Sequence, residues 1–318
     1  MKFVVLFAAL VCVSTAFPEF TVDVLRKELS AFGSGNVESN VVELARSLNL
    51  NTLVELITKA DLTEMLTGTD GLTIFGPTDD AFGKLPLKVK EELEKDKNFL
   101  TDVLLYHVIE SEIYSTKLKN ELLVPSCLES TSVRINIYDK LVPELVTATG
   151  SPISKPDNVA TNGVIHVLDR VMFPIPLNDI LTLVSSTGNF STLLKAIEVS
   201  GIKDLLKGGP YTLFAPTNKA FEKLPPGKLD GLLANKDELQ KILSRHLVNG
   251  TMFSAALKRV DKVTTRENDV VTIGISSNGD LSVEKANVII ADAATTNGVV
   301  HVIDTMLLPP NVVYSERH

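Results

Sequence analysis

The chain has 318 residues, a hydrophobic content of 44% and a charged content of 22%. These values are typical of folded globular domains and predict no disordered region. The formal net charge is −8, with acidic and basic residues interspersed along the chain. Because a negatively charged surface repels nucleic acid, we exclude nucleic acid as a partner.

The first sixteen residues have the pattern of a secretory signal peptide. Lys2 precedes an apolar run from Phe3 to Val13, and Ser14–Ala16 provides the small residues that a signal peptidase recognises. We therefore predict cleavage after Ala16. No later stretch reaches the roughly 18 to 20 unbroken apolar residues that a membrane-spanning helix requires. The sequence thus predicts a secreted protein of the extracellular space or matrix, without a membrane anchor.

After a polar lead-in at 17–37, the chain is internally duplicated. The segment Thr73–Pro86 recurs as Thr212–Pro225 with nine of fourteen positions identical, and Thr161–Asp169 recurs as Thr296–Asp304. The two motifs return after 139 and 135 residues, which is the size of a self-sufficient domain and too long for a solenoid unit. The predicted boundaries are 38–174 for the first domain, 175–310 for the second domain and 311–318 for a C-terminal tail.

Each copy is predicted to begin with helices. Apolar or small residues recur on one helical face, at Leu53, Leu56, Ile57 and Ala60 in the first copy and at Leu193, Ala196, Ile197 and Ser200 in the second. A short strand follows, at Leu72–Phe75 and at Tyr211–Ala215, and it ends at a proline. Thr78 and Thr217 then stand where a hydroxyl caps the next helix.

The second half of each copy is rich in predicted strands. Apolar residues alternate with polar ones at Val133, Ile135 and Ile137 and again at Val271, Ile273 and Ile275. Asn278–Gly279 predicts a hairpin turn, and the Asn–Gly pairs at 162–163 and 297–298 predict tight turns with positive φ. Helices that precede strands in this way favour the α+β class over alternating parallel units. The short linker Phe173–Pro176 predicts a restricted domain orientation.

The reactive residue types do not form a catalytic pattern. Histidines fall at paired positions, His107 with His246 and His166 with His301, but a zinc site takes three or four ligands and neither copy clusters such a set. We interpret these histidines as buried and bonded to the backbone. Hydrolase motifs are missing as well. The sequence therefore predicts no enzyme, no metal and no cofactor.

Two further predictions concern covalent chemistry. Cys127 is the only cysteine outside the predicted signal peptide. A buried thiol is the favoured interpretation, and a cross-link between two chains is the alternative. Asn189 and Asn249 begin Asn-x-Ser/Thr sequons, so we predict that both carry N-linked glycans.

The duplicated motifs resemble those of the fasciclin domain family over about residues 38–310. This resemblance implies an α+β fold of two tandem domains, each with a β-sandwich core and surrounding helices, and a role in adhesion or matrix assembly. The family's Tyr-His pair falls on Tyr106–His107 in the first copy and on Arg245–His246 in the second. An Asp-Ile pair linked to integrin binding in relatives corresponds to Asp157–Asn158 and Asp292–Ala293. The resemblance thus implies these partner-binding residues: Tyr106, His107, Asp157, His246 and Asp292.

Three functions remain open on the sequence alone. The first is a secreted adhesion or matrix protein that binds an extracellular protein, such as an integrin-type receptor, or a matrix polymer, with homophilic association as a further option. The second is a carrier of a small apolar ligand or lipid, which needs a cavity between helices and sandwich. The third is a structural component of a cuticle or mineralised matrix, consistent with the acidic composition.

Overall fold

The computed structural model describes residues 39–174 and 178–309. The predicted signal peptide, lead-in and tail lie outside the described residues, as does the part of the linker at 175–177. We call the two described segments the first and second repeat. Each forms one seven-stranded sheet with helices packed against it, which confirms the predicted α+β class.

The first repeat begins with helices and ends with strands. Its helices are α1 (Val41–Ser47), α2 (Asn51–Lys59), α3 (Thr63–Gly68), α4 (Asp79–Gly83), α5 (Leu87–Lys95) and α6 (Lys97–Tyr106). Its strands are β1 (Leu72–Pro77), β2 (Val108–Ile109), β3 (Leu122–Pro125), β4 (Ser132–Tyr138), β5 (Leu145–Ala148), β6 (Ser151–Ala160) and β7 (Gly163–Leu168). A single 3₁₀ turn at Ser115–Lys117 lies between β2 and β3.

The second repeat has the same succession. Its helices are α7 (Ile180–Ser186), α8 (Ser191–Ser200), α9 (Lys203–Leu206), α10 (Asn218–Glu222), α11 (Lys228–Ala234), α12 (Lys236–Arg245) and α13 (Ser254–Leu257). Its strands are β8 (Tyr211–Pro216), β9 (Leu247–Asn249), β10 (Lys262–Thr264), β11 (Val270–Ile275), β12 (Leu281–Val283), β13 (Ala286–Thr295) and β14 (Gly298–Ile303). None of the helices in the described part of the chain is long and apolar enough to cross a bilayer.

The two sheets share one topology. The strand order is β2-β1-β7-β6-β5-β4-β3 in the first repeat and β9-β8-β14-β13-β12-β11-β10 in the second. The two duplicated motifs of each repeat become parallel neighbours, β1 beside β7 and β8 beside β14. This register places Phe75 opposite His166 and Phe214 opposite His301. Motifs that are far apart in sequence therefore meet as the second and third strands from one edge of each sheet.

Each repeat buries two apolar clusters. In the first repeat, one cluster lies between helices and sheet and includes Leu53 and Ile57. The other cluster is contributed mainly by strands and includes Phe75 and Ile135. The second repeat has the same pair of clusters. Apolar packing on both sides of the sheet is what a β-sandwich core with surrounding helices requires.

Several local predictions are confirmed. The periodic segments form α2 and α8, and the hydroxyls of Thr78 and Thr217 accept from the N–H of Ala81 (3.1 Å) and of Ala220 (3.3 Å). Each threonine thus satisfies one of the N–H groups that a helix start leaves unpaired. The turn at Gly279, whose φ is 83°, joins the antiparallel strands β11 and β12.

The predicted role of the two Asn–Gly pairs in the second motif is wrong in part. Neither Asn162 nor Asn297 has a positive φ, and of the two glycines Gly298 alone has one (149°). Both glycines are also required for space, because a Cβ on Gly163 would lie 2.3 Å from the carbonyl oxygen of Leu72, and one on Gly298 would lie 1.9 Å from that of Tyr211. These positions allow the two motif strands of each repeat to approach closely.

Candidate functional site

Tyr106, predicted to contact a partner, belongs to the core of the first repeat. Its side chain is fully buried, and its hydroxyl donates to the carbonyl of Ser132 (2.9 Å) and lies 3.0 Å from the Thr149 hydroxyl. The second repeat has Arg245 at this position, with a buried guanidinium that pairs with Asp269 and Glu284. Both side chains connect the end of a helix to the strands beneath it.

His107 and His246 are also buried, and their hydrogen bonds define one neutral tautomer. The main-chain N–H of Met172 donates to Nε2 of His107 (3.0 Å), so the proton resides on Nδ1, which donates to the carbonyl of Val103 (2.7 Å). His246 makes the equivalent bonds in the second repeat. Burial lowers the pKa of both imidazoles to about 4.

The burial of these three side chains revises the predicted contact surface. Tyr106, His107 and His246 are at most 2% exposed, so none can touch a partner directly in this fold. They support the surface from below, because each histidine ties its helix to the segment that follows the last strand of its repeat. A role in partner binding stays a prediction for them, and that role would be indirect.

Asp157 and its neighbours form the exposed part of the predicted site. Asp157 lies at a bulge of β6 with a φ of 58°, a conformation that aspartate tolerates better than most residues. Its carboxylate accepts from the N–H of Ser115 (2.7 Å) and from the Ser115 hydroxyl. Its own N–H donates to Nδ1 of His166 (3.2 Å), and Nε2 of that ring donates to the carbonyl of Ile113 (2.7 Å).

This network fixes the direction of the carboxylate before any partner binds. Burial lowers the pKa of His166, so its ring is neutral at pH 7. Asp157 therefore has no compensating positive charge from the ring. Two hydrogen bonds join Ser115 directly to Asp157, and two more connect the bulge to the same loop through His166, while the aspartate side chain stays 32% exposed.

The second repeat reproduces this network with equivalent atoms. Asp292 has a φ of 63°, its carboxylate accepts from the N–H of Ser254 (2.6 Å) and from the Ser254 hydroxyl, and its N–H donates to Nδ1 of His301 (3.3 Å). The surroundings of the two aspartates differ, because Asp292 also accepts a hydrogen bond from the guanidinium of Arg170 in the first repeat (2.9 Å). The predicted contact residue Asp292 thus lies in the contact between the two repeats.

A polar cluster extends that contact. The buried guanidinium of Arg134 pairs with Glu121 (2.8 Å) and donates to the main-chain carbonyls of Thr295 (3.4 Å) and Thr296 (2.7 Å). Glu121 in turn accepts from the N–H (2.8 Å) and the hydroxyl (3.0 Å) of Thr251. One buried ion pair of the first repeat therefore binds three residues of the second.

An aromatic contact completes the interface. Phe253 of the second repeat is fully buried and lies over Gly150 of the first, where a Cβ would come within 2.5 Å of the phenyl ring. The hydroxyl of Tyr138 donates to the carbonyl of Thr251 (3.0 Å) and accepts from the N–H of Phe253 (3.2 Å). Burial raises the pKa of Tyr138, which keeps its hydroxyl protonated as a donor.

The described cavities differ in position and size. The cavity between the helices and the sheet of the first repeat, lined by Leu53, Ile57 and Leu104, measures about 10 Å³, which is room for one water molecule. A groove between the repeats measures about 310 Å³ and is lined by apolar residues such as Met172 and Ala293 together with Arg170. No group of three or more His, Cys, Asp or Glu side chains within 39–174 and 178–309 could hold a metal ion.

The structure also shows how exposed the predicted glycan acceptors and the cysteine are. Asn189 and Asn249, the predicted glycan acceptors, are both exposed. Cys127 is only partly buried, and burial together with the nearby carboxylate of Glu110 raises the pKa of its thiol to about 11. The thiol is therefore protonated at neutral pH and is a poor nucleophile.

Sequence reasoning missed Ser115, Arg170 and Gly150. Ser115 and Ser254 stand at the same distance after His107 and His246, so a longer alignment of the two copies would have found them. Arg170 and Gly150 have no counterpart of the same type in the second copy, where Thr305 and Lys285 occupy the equivalent positions. Their role depends on a contact between repeats, which no pattern within one repeat reveals.

Comparisons with known proteins agree with this architecture. Residues 48–174 and 188–309 each match the fasciclin domain family. Transforming growth factor-beta-induced protein ig-h3 of Sus scrofa is 33% identical over 246 residues, covering 76% of this chain and 35% of the relative. Periostin of Homo sapiens is 32% identical over 255 residues, covering 78% and 29%. The chain spans about a third of the length of these relatives.

A solved structure of a FAS1 domain pair from the insect cell adhesion molecule fasciclin I aligns with 83% of this chain and 99% of that chain, with a TM-score of 0.41 and 22% identity. The two repeats, with equal topology and equivalent Asp–Ser–His networks, define a tandem pair of α+β domains. The chain belongs to the fasciclin domain family.

Proposed function

We propose that this protein is a secreted adhesion or matrix protein that acts through protein–protein contacts made by the first repeat, and that it is not an enzyme. The observation that carries the proposal is the Asp157 site. Ser115 orients this carboxylate and leaves it 32% exposed. The side chain is therefore a preorganised acceptor for a donor on another protein, because it loses little further conformational entropy on binding. Membership of the fasciclin domain family, whose resemblance implies a role in adhesion or matrix assembly, supports this proposal.

The proposal is tested by attachment of integrin-bearing cells to the purified protein, with and without a chelator of divalent cations. We expect Asp157→Asn to reduce attachment, since the amide keeps the shape of the side chain and removes its charge. The matched control is Asp204→Asn, an exposed carboxylate in α9, which should leave attachment unchanged. Equal attachment by all three proteins would refute the assignment to Asp157.

The proposed function also includes adhesion to matrix polymers or minerals. The same three proteins should therefore be assayed for binding to collagen, chitin and calcium carbonate, which covers a structural role in a cuticle or mineralised matrix. Failure of the wild-type protein to bind either cells or any of these surfaces would overturn the adhesion proposal.

A second candidate function is transport of a small apolar ligand. The cavity between helices and sheet in the first repeat, where the sequence placed such a ligand, has room for one water molecule. The groove of about 310 Å³ between the repeats favours this function instead, because its volume is within the range of small-molecule sites. We expect native mass spectrometry of the secreted protein to detect an additional mass that Ala293→Trp removes by filling the groove. A protein that carries no additional mass would argue against this function.

A further inference from the structure

The groove between the repeats has apolar walls from both of them. Its lining includes Val171 and Met172 of the first repeat and Leu183 and Ala293 of the second, around a volume of about 310 Å³. Apolar side chains that are only partly covered by the rest of the protein favour an apolar ligand. A molecule in this groove would therefore bury its apolar part against both repeats at once.

The polar residues of the lining lie side by side. The hydroxyl of Ser151 donates to the carbonyl of Arg170 (2.8 Å), and the guanidinium of Arg170 donates to the carboxylate of Asp292 (2.9 Å). All three residues line the groove. Because they are bonded to one another, they form one polar region centred on Arg170, and a ligand with a polar head and an apolar tail matches this division.

Arg170 uses only part of its guanidinium within the protein. Among the described residues, its side-chain hydrogen bonds are all made by Nη1, to Asp292 and to the hydroxyl of Ser254 (3.3 Å). Nε and Nη2 form another edge of the guanidinium plane, where two parallel N–H groups match the two oxygens of a carboxylate. The arginine side chain is 40% exposed. This edge is the feature of the groove that points to a ligand of a particular class.

The neighbouring groups determine the charge of the ligand head. The carboxylate of Asp292 already accepts from the N–H of Ser254 (2.6 Å), from the Ser254 hydroxyl and from Arg170. The hydroxyl of Ser151 also accepts from the N–H of Arg170 (3.1 Å). The ligand head must therefore be an acceptor. A cation would be repelled by Arg170, and a doubly charged phosphate would be repelled by Asp292 more strongly than a singly charged carboxylate.

The volume of the groove limits the size of the ligand. An apolar cavity of about 150 Å³ holds benzene, which has six carbon atoms. A groove of about 310 Å³ therefore has room for about twelve non-hydrogen atoms. Octanoate is within this limit, whereas a lipid with two long acyl chains is far above it.

We propose that the groove between the repeats binds an aliphatic monocarboxylate, with the carboxylate on the Nε–Nη2 edge of Arg170 and the chain between Met172 and Ala293. This inference rests on the second candidate function, transport of a small apolar ligand, and names the chemical class of that ligand. The ligand would bridge the two repeats, because Arg170 and Met172 belong to the first and Ala293 to the second.

The first test compares head groups on one chain length. Octanoate, octanol and octylammonium are titrated into the wild-type protein by isothermal calorimetry. We expect octanoate to bind at least about tenfold more tightly than octanol, which corresponds to about 1.4 kcal/mol, and octylammonium to bind more weakly than either. Equal binding of octanoate and octanol, or no binding of octanoate, would overturn the proposal.

The second test changes the guanidinium and keeps its charge. Arg170→Lys can still pair with Asp292, but an ammonium has no planar edge with two parallel N–H groups. We expect octanoate to bind this variant about tenfold more weakly, with octanol binding unchanged, which also shows that the groove is intact. The matched control is Arg266→Lys, an exposed arginine that lies over the ring of Tyr211 and should bind both compounds like the wild type. An octanoate affinity that Arg170→Lys does not alter contradicts the assignment to Arg170.

The third test locates the bound chain. Met172 lines the groove, whereas Met65 packs against the helical cluster of the first repeat. Octanoate should shift the methyl NMR signal of Met172 and leave that of Met65 in place, and Ala293→Trp should abolish the shift by filling the groove. A response of Met65 without one of Met172 would mean that the compound binds elsewhere, and the proposal would fail.

The outcomes separate this inference from the function on which it rests. An additional mass in the secreted protein that Ala293→Trp removes, together with equal binding of octanoate and octanol, would support transport and reject the carboxylate class. Selective octanoate binding that depends on Arg170, in a secreted protein that carries no additional mass, would support the site and argue against transport.

Discussion

At the scale of single residues, the four paired histidines serve the fold. They are buried and bonded to the main chain, as the sequence predicted, and burial lowers the pKa of each: His107, His166, His246 and His301. Asp157 and Asp292 lie beside His166 and His301 and are partly exposed, and their surroundings differ. Asp292 pairs with Arg170, whereas no lysine or arginine of the described residues lies within 4.0 Å of Asp157.

The first prediction concerns the dependence of stability on pH. Burial lowers the pKa of His107 and His246 in the folded protein to about 4, against about 6.5 in the unfolded chain. Between these values the unfolded state binds more protons, so stability is complete above pH 6.5 and falls as the pH approaches 4. Each histidine should contribute a loss of about 1.4 kcal/mol per pH unit in this window.

The measurement is urea unfolding of the wild type and of His107→Gln between pH 7 and 5, where most carboxylates remain ionised. The variant should show a smaller loss of stability with falling pH than the wild type, whatever its stability at pH 7. Parallel curves for the two proteins would mean that His107 is not buried in the neutral form.

At the scale of elements, the fold depends on how closely the two motif strands approach. β1 and β7 pair in parallel inside the sheet. Asn162 accepts from the N–H of Val41 (2.9 Å) and donates to the carbonyl of Leu66 (2.8 Å). One asparagine therefore connects the start of α1 with the end of α3. The glycine that follows it leaves room for the neighbouring backbone.

The second prediction is that Gly163→Ala destabilises the first repeat by about 3 kcal/mol or more, because the added methyl would lie 2.3 Å from the carbonyl oxygen of Leu72. The control is Gly83→Ala at the end of α4, where no atom lies within 4 Å of the added Cβ. This change should be neutral or should stabilise by up to about 1 kcal/mol, since alanine favours helix. Thermal unfolding compares Gly163→Ala with Gly83→Ala. Similar unfolding midpoints for the two variants would contradict the close approach of β1 and β7.

At the scale of the whole molecule, the contact between repeats determines which surfaces are available. The polar residues of β4 that alternate with its apolar ones would face solvent in an isolated domain. Arg134 and Asn136 are buried here, because the second repeat covers that side of the strand. The buried guanidinium donates to two main-chain carbonyls across the contact and pairs with the carboxylate of Glu121 in its own repeat.

The third prediction is that Arg134→Ala uncouples the repeats. It leaves Glu121 without its cation, and breaking a buried pair on one side costs about 3 to 5 kcal/mol. We expect differential scanning calorimetry to resolve two unfolding transitions in place of a more cooperative one, with a larger radius of gyration before unfolding. Lys207→Ala, an exposed change directly after α9, should affect neither quantity. A single unchanged transition for Arg134→Ala would show that the coupling lies elsewhere.

The sequence by itself determined the duplication, the α+β class, the capped helices and the family, because periodicity, caps and motif spacing act over a few residues within each copy. The contrast between Tyr106 and Asp157 marks the limit of that information. Both belong to motifs that resemble contact sites, yet only the packing of α6 against the strands buries one, and only the bulge in β6 exposes the other. The tertiary structure likewise decided that Asp292 pairs with Arg170, whereas Asp157 has no such cation among the described residues. That difference arises because Arg170 and Gly150 contact the second repeat across a boundary that no pattern within one repeat describes.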